Sequence, residues 1–130
     1  MSTTFIIISI LGIIIATFAI VIAFGPSFLF RKIENSYKRF LVNKENFSDD
    51  ALRDLQSDLD RAIYIVCIWM INQKQFIEHN YNSEFSEYAD AVPGAQDDLT
   101  KNEAQEAKFQ RMLQEVNREL IRREHSLKYK

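Results

Sequence analysis

Glycine, proline, cysteine and histidine are all scarce in this 130-residue chain, which holds three, two, one and two of them. The glycines Gly12, Gly25 and Gly94 stand alone, so no glycine-rich loop is present to cradle a phosphate. With one cysteine, Cys67, there is neither an intramolecular disulfide nor a CxxC metal or redox pair. Ile, Val and Trp surround that cysteine, a setting that suits a small buried hydrophobe rather than a reactive thiol. The two histidines, His79 and His125, are too far apart for an HExxH arrangement. Glu78, His79, Glu84 and Glu87 offer nitrogen and oxygen donors, but their spacing matches no standard metal site. A catalytic pairing of Cys67 with either histidine would need an exposed thiol. The residue pattern therefore predicts no metal, no cofactor, no small-molecule substrate and no catalytic role.

Charge is absent altogether from residues 5–24 (FIIISILGIIIATFAIVIAF), where only Ser9 and Thr17 are polar. Twenty residues at about 1.5 Å each make a helix of roughly 30 Å, the thickness of a bilayer's hydrocarbon core. This run predicts a transmembrane helix, with residues 1–25 as a membrane anchor. Met1 to Thr4 carry no side-chain charge, whereas Arg31, Lys32, Lys38, Arg39 and Lys44 follow the run. That asymmetry predicts an outside N-terminus and a cytoplasmic C-terminus, in a cell (inner) membrane or an organellar one. A cleaved secretory signal is the rival reading; the missing basic n-region and the length of the run argue against it.

The formal net charge of −2 hides three blocks: +4 over residues 31–44, −10 over 45–106 and +4 over 107–130. Arg31, Lys32, Lys38 and Arg39 are candidate contacts for lipid headgroups, where each cation gains about 1 kcal/mol. The basic tail, with Arg111, Arg118, Arg122 and Arg123, has the acidic middle, lipid or an acidic partner as alternatives. Nucleic acid is disfavoured, because no exposed aromatics interleave and no binding motif is present.

Helical periodicity runs through the rest. Gly25-Pro26 predicts a break, after which Leu29, Ile33, Tyr37, Phe40 and Leu41 recur at helical spacing, giving a basic juxtamembrane amphipathic helix over 26–45. Ser48, Asp49 and Asp50 are N-cap candidates for a long helix over about 49–79. Its seam is Leu52, Leu55, Leu59, Ala62, Val66, Trp69, Gln73 and Phe76, a heptad a/d pattern with one polar member. Within it, residues 62–71 (AIYIVCIWMI) are apolar on every side, too short for a second span and in need of cover by another subunit or the membrane. Residues 80–98 read as an acidic linker with a turn at Pro93-Gly94, where Phe85 and Tyr88 could serve as a docking motif. Thr100 and Glu103 then match a capping box opening an amphipathic helix over about 100–127, with Phe109, Met112, Leu113, Val116, Leu120 and Leu127 on one face.

The small residues of the apolar run are also periodic. Ser9, Gly12, Ala16, Ala19 and Ala23 are spaced three, four, three, four and form one stripe, the geometry that lets membrane helices approach closely. The expected fold is all-α: one N-terminal transmembrane helix followed by two to three cytoplasmic helices in region 46–130. The expected role is a non-catalytic scaffold or adaptor, meeting lipid and assembling with itself or an integral membrane partner. An accessory subunit of a larger membrane complex, or a membrane-active effector of the toxin or phage lysis and exclusion type, are the alternatives.

Overall fold

The computed structural model describes residues 2–81 and 86–128, with side chains outside 21–24 and 86–88. Among the described residues there are three helices, α1 (Thr3–Val42), α2 (Asp49–Asn80) and α3 (Ser86–Lys128), and no strand.

The first helix is 40 residues long and runs through Gly25-Pro26 without interruption. The break expected there does not form, so the 26–45 segment is the second half of α1 rather than a separate helix. Pro26 lies inside the helix and removes the N–H that would pair with the Ile22 carbonyl, but its fixed φ is helical. Leu29, Phe30, Ile33, Tyr37 and Phe40 then anchor the continuation by packing into the core. Upstream, both polar side chains of the apolar run satisfy themselves locally. Ser9 Oγ donates to the Phe5 carbonyl at 2.9 Å and Thr17 Oγ1 to the Ile13 carbonyl at 2.8 Å.

A tight turn joins α1 to α2, closed by Phe47 N–H donating to the Lys44 carbonyl at 3.4 Å. Of the three cap candidates, Ser48 takes the role: its Oγ accepts from Ala51 N–H at 3.1 Å, and Asp49 and Asp50 occupy the first turn. The helix then continues to Asn80, as its heptad pattern predicts.

α3 differs from its expectation. It begins at Ser86, not near Thr100, so of the supposed linker 80–98, Asn80 ends α2 and 86–98 are helical. Ala89, Ala91 and Ala95 are strong helix formers around Pro93, and Val92 is buried, which together offset the lost hydrogen bond. The Thr100 hydroxyl does not cap a helix; it donates back to the Gln96 carbonyl at 3.1 Å. Glu84 and Phe85 lie outside the described residues, as do the side chains of Ala23, Glu87 and Tyr88.

The second half of α1 and the α2–α3 hairpin share one core. Ile33 and Phe40 meet Leu52, Leu55, Leu59, Ala62 and Val66 of α2, and Phe109, Met112 and Val116 of α3. Gln56 Nε2 donates to Asn117 Oδ1 at 2.7 Å, and Asn102 Nδ2 to Gln73 Oε1 at 3.1 Å, which sets the antiparallel register of the hairpin. Phe30 bridges all three helices, with ring centroids 5.1 Å from Phe109 and 5.8 Å from Trp69.

Candidate functional site

Three surfaces stand out once the core is accounted for. The first is the apolar half of α1, Thr3–Ile20, which is long and apolar enough to cross a membrane and has no buried side chain. Ser9, Gly12, Ala16 and Ala19 of the small-residue stripe are all exposed, and a Cβ added at Gly12 would meet nothing within 4 Å. A large apolar surface of this kind, left open to solvent, calls for lipid or protein cover.

The second surface is the outer side of residues 62–71. Ala62 and Val66 are fully buried, but Tyr64 is 67% exposed, Ile71 54%, Ile68 39% and Trp69 37%. Arg61 and Lys74 flank the segment and are exposed. Leu52, Leu55 and Leu59 are buried too, so the first five seam positions pack inside the chain. Further along, Phe76 is half-buried and Trp69 meets Phe30.

The third is a charge cluster at the opposite end of the bundle, where the α1–α2 turn meets α3. Arg122 Nε and Nη2 donate to Glu119 at 3.0 and 2.6 Å, and Arg123 Nε adds a bond at 3.1 Å. The guanidinium of Arg123 also reaches Asp49 and, at 2.7 Å, the Lys44 carbonyl. One arginine thus ties α3 to the turn and to the start of α2. Glu119 is only 8% exposed. The Arg122 hydrogen bond, helped by Arg123 and opposed by burial, holds its carboxyl at about 2, below the usual 4.5. Beside the cluster, a groove of about 600 Å³ is lined by Arg53, Gln56, Asn117, Leu120 and Ile121 among others.

Of the four cations proposed for headgroups, Lys32 pairs with the buried Asp58 at 2.9 Å, because a carboxylate taken out of water requires a counter-charge. Arg39 donates to Ser36 Oγ at 3.4 Å, while Arg31 and Lys38 are exposed. Lys108 of α3 binds Glu34 of α1, and this bond and charge hold the Glu34 carboxyl below its ordinary value. Among the described residues no three His, Cys, Asp or Glu side chains gather in a group able to hold a metal ion.

No protein-family model, curated protein or solved structure matches the chain. Its chemistry must be read from these surfaces.

The Glu119 cluster makes a prediction of its own. A carboxylate whose folded pKa lies below its unfolded value contributes fully above about pH 4.5, and that contribution is lost as pH falls towards 2. Glu119→Gln is expected to lower stability at pH 7 by about 2 kcal/mol, the scale of a hydrogen bond to a charged group. It should also flatten the acid limb between pH 4.5 and 2. Thermal unfolding in mild detergent, followed by Trp69 fluorescence across that range, measures both. Part of this cluster has a signature in the sequence, since Glu119, Arg122 and Arg123 stand at i, i+3 and i+4 on one helix. The Asp49 and Lys44 contacts have no such signal.

Proposed function

We propose that this chain is a single-pass membrane protein, N-terminus outside, whose cytoplasmic three-helix unit serves as a non-catalytic anchor or scaffold at the membrane face. The observation that carries this reading is the continuity of α1. One helix contains the apolar run and, without a loop, supplies Phe30, Ile33 and Phe40 to the bundle core. A folded unit joined to a span in this way is held at a fixed height above the bilayer, with no flexible tether between them. Internal hydrogen bonding of Ser9 and Thr17 agrees with a hydrocarbon setting, where no water is present to satisfy a hydroxyl. Helical structure through residues 23–27 also argues for a retained anchor, because cleavage there would cut within the helix that continues into the core. Exposed Arg31 and Lys38, beyond the span, suit the cytoplasmic side and its anionic headgroups.

In this reading self-assembly or docking to a membrane partner runs through the Ser9–Gly12–Ala16–Ala19 stripe, since the Leu52–Val66 part of the seam is occupied within the chain. Replacing Gly12 and Ala16 together by Ile is expected to reduce association of the span in a membrane two-hybrid assay to the level of an unrelated span. Unchanged association would remove the stripe as an interface. A second reading, an accessory subunit of a larger membrane complex, draws on the exposed side of residues 62–71, and co-purification of partners at fixed stoichiometry after mild solubilisation would favour it.

A further inference from the structure

We infer that the groove at the far end of the bundle from the span, between Arg53 of α2 and Glu124 of α3, receives the same groove of a second copy of this chain. The inference goes beyond the span stripe and rests on the membrane reading only for the direction of the symmetry axis.

The groove lies on the side of the hairpin away from α1. α1 reaches the hairpin through Asp58, Lys108 and Glu115, each one residue before a buried core position, Leu59, Phe109 or Val116. Arg53, Gln56, Asn117 and Leu120 line the groove, each one residue after a buried position, Leu52, Leu55, Val116 or Glu119. A step of about 100° either way puts the two sets on opposite flanks of the core. The groove also adjoins the turn after Val42, about 27 Å along α1 from the end of the apolar run and out of reach of lipid.

Charge decides the occupant. Arg53 stands on the α2 lip and Glu124 on the α3 lip, both exposed, and neither has a hydrogen bond or ion pair among the described residues. Leu120, Ile121 and Leu127 add apolar surface, and the last two are exposed. Gln56 donates to Asn117 and Arg123 reaches Asp49, so Arg53 and Glu124 differ in height by about one helical turn.

Two copies held in one membrane with the same orientation can share only a two-fold axis along the membrane normal. α1 enters the bundle unbroken and α2 and α3 pack alongside it, so that axis runs along the hairpin. Turning one copy about it sets α2 against α3 of its partner with every height unchanged. Arg53 then faces Glu124 of the partner subunit, and the pair forms twice, with the apolar residues between. Confinement to one membrane raises the effective concentration of the second copy, so a modest contact suffices. Each α1 stays on the outer side of its own hairpin. The two spans then lie three interhelix spacings apart, roughly 24–30 Å, and their small-residue stripes remain open to another helix.

The test uses the full chain carrying Gly12→Ile and Ala16→Ile, so that the stripe cannot hold copies together. Arg53→Glu and Glu124→Arg are each added to it, every chain is made with two different tags, and co-capture is measured in mild detergent. Both positions are exposed and unpartnered, so the fold should be retained, and thermal unfolding read by Trp69 checks it. The starting chain should capture itself. Either added variant alone sets like charges against its copy and should lose self-capture by about tenfold or more. Co-expressed, the two variants meet with opposite charges at both contacts, and their mixed capture should return to the starting level. Absence of self-capture in the starting chain would overturn the inference and give the groove to a different protein. Undiminished self-capture of either variant, or mixed pairs that do not recover, would overturn it as well. Carbonate extraction of the same cells reads the anchor separately: recovered mixed pairs in the supernatant would overturn the membrane reading and leave the groove pairing standing.

Discussion

Ile14→Arg combined with Ile15→Arg is expected to abolish membrane integration. Residues 5–24 include 14 Ile, Leu, Phe or Val side chains. At about −0.3 to −0.6 kcal/mol each, these favour insertion by roughly 4–8 kcal/mol. Positions 14 and 15 lie at the middle of the run, where an arginine costs about 2.5–3.5 kcal/mol and has the longest reach to either surface. Two of them cancel most or all of the driving force. Alkaline carbonate extraction of cell membranes is the measurement: the parent chain should stay with the pellet and the double variant should move to the supernatant. Ile14→Leu with Ile15→Leu keeps the hydropathy and should behave as the parent. The bundle core contains neither residue, so the variant's three-helix unit should still fold.

The complementary expectation concerns the core and leaves the span intact. Phe109 is fully buried, and its ring packs edge-on against Phe30, with centroids 5.1 Å apart. Phe109→Ala removes a core side chain through which α3 packs on Phe30 of α1, at about 3–5 kcal/mol. A small domain has about 5–15 kcal/mol of stability, so this one change should remove a large part of it. Phe109→Leu, which retains most of the volume, is expected to cost much less. Thermal denaturation in mild detergent, read by the Trp69 emission, should show the Ala variant melting tens of degrees lower while carbonate extraction still finds it in the membrane. Loss of membrane integration by Phe109→Ala would mean that the span depends on the bundle, contrary to the account.

Periodic features were legible in the sequence, and local breakers misled. The positions Leu52, Leu55, Leu59, Ala62 and Val66 repeat at a period that only a helix satisfies, and Ser48 before two acids marks its start. Gly25-Pro26 and Pro93-Gly94 look like stops because each carries a local penalty of a few kcal/mol. Burial in the core outweighs it: Leu29 and Ile33 pack into the shared core after Pro26, and Val92 is buried next to Pro93. Tertiary packing of that sort has no signature in a short window of sequence. The same reason hid the partner of the seam, because a heptad pattern specifies an apolar companion without saying whether it belongs to the same chain. Lys32 read as a headgroup contact from its position alone; Asp58, 26 residues away, claims it in the fold. Surface features depend least on such pairings, so the exposed stripe of α1 and the apolar surplus of 62–71 were both visible from composition and spacing.

Green fluorescent protein and alkaline phosphatase, fused in parallel to the C-terminus and expressed in a Gram-negative cell, give the most direct test that α1 crosses the membrane and leaves the bundle in the cytoplasm. The account predicts a fluorescent, membrane-bound green fluorescent protein fusion and an inactive phosphatase fusion. An active phosphatase fusion, or recovery of either fusion in the soluble fraction, would contradict it.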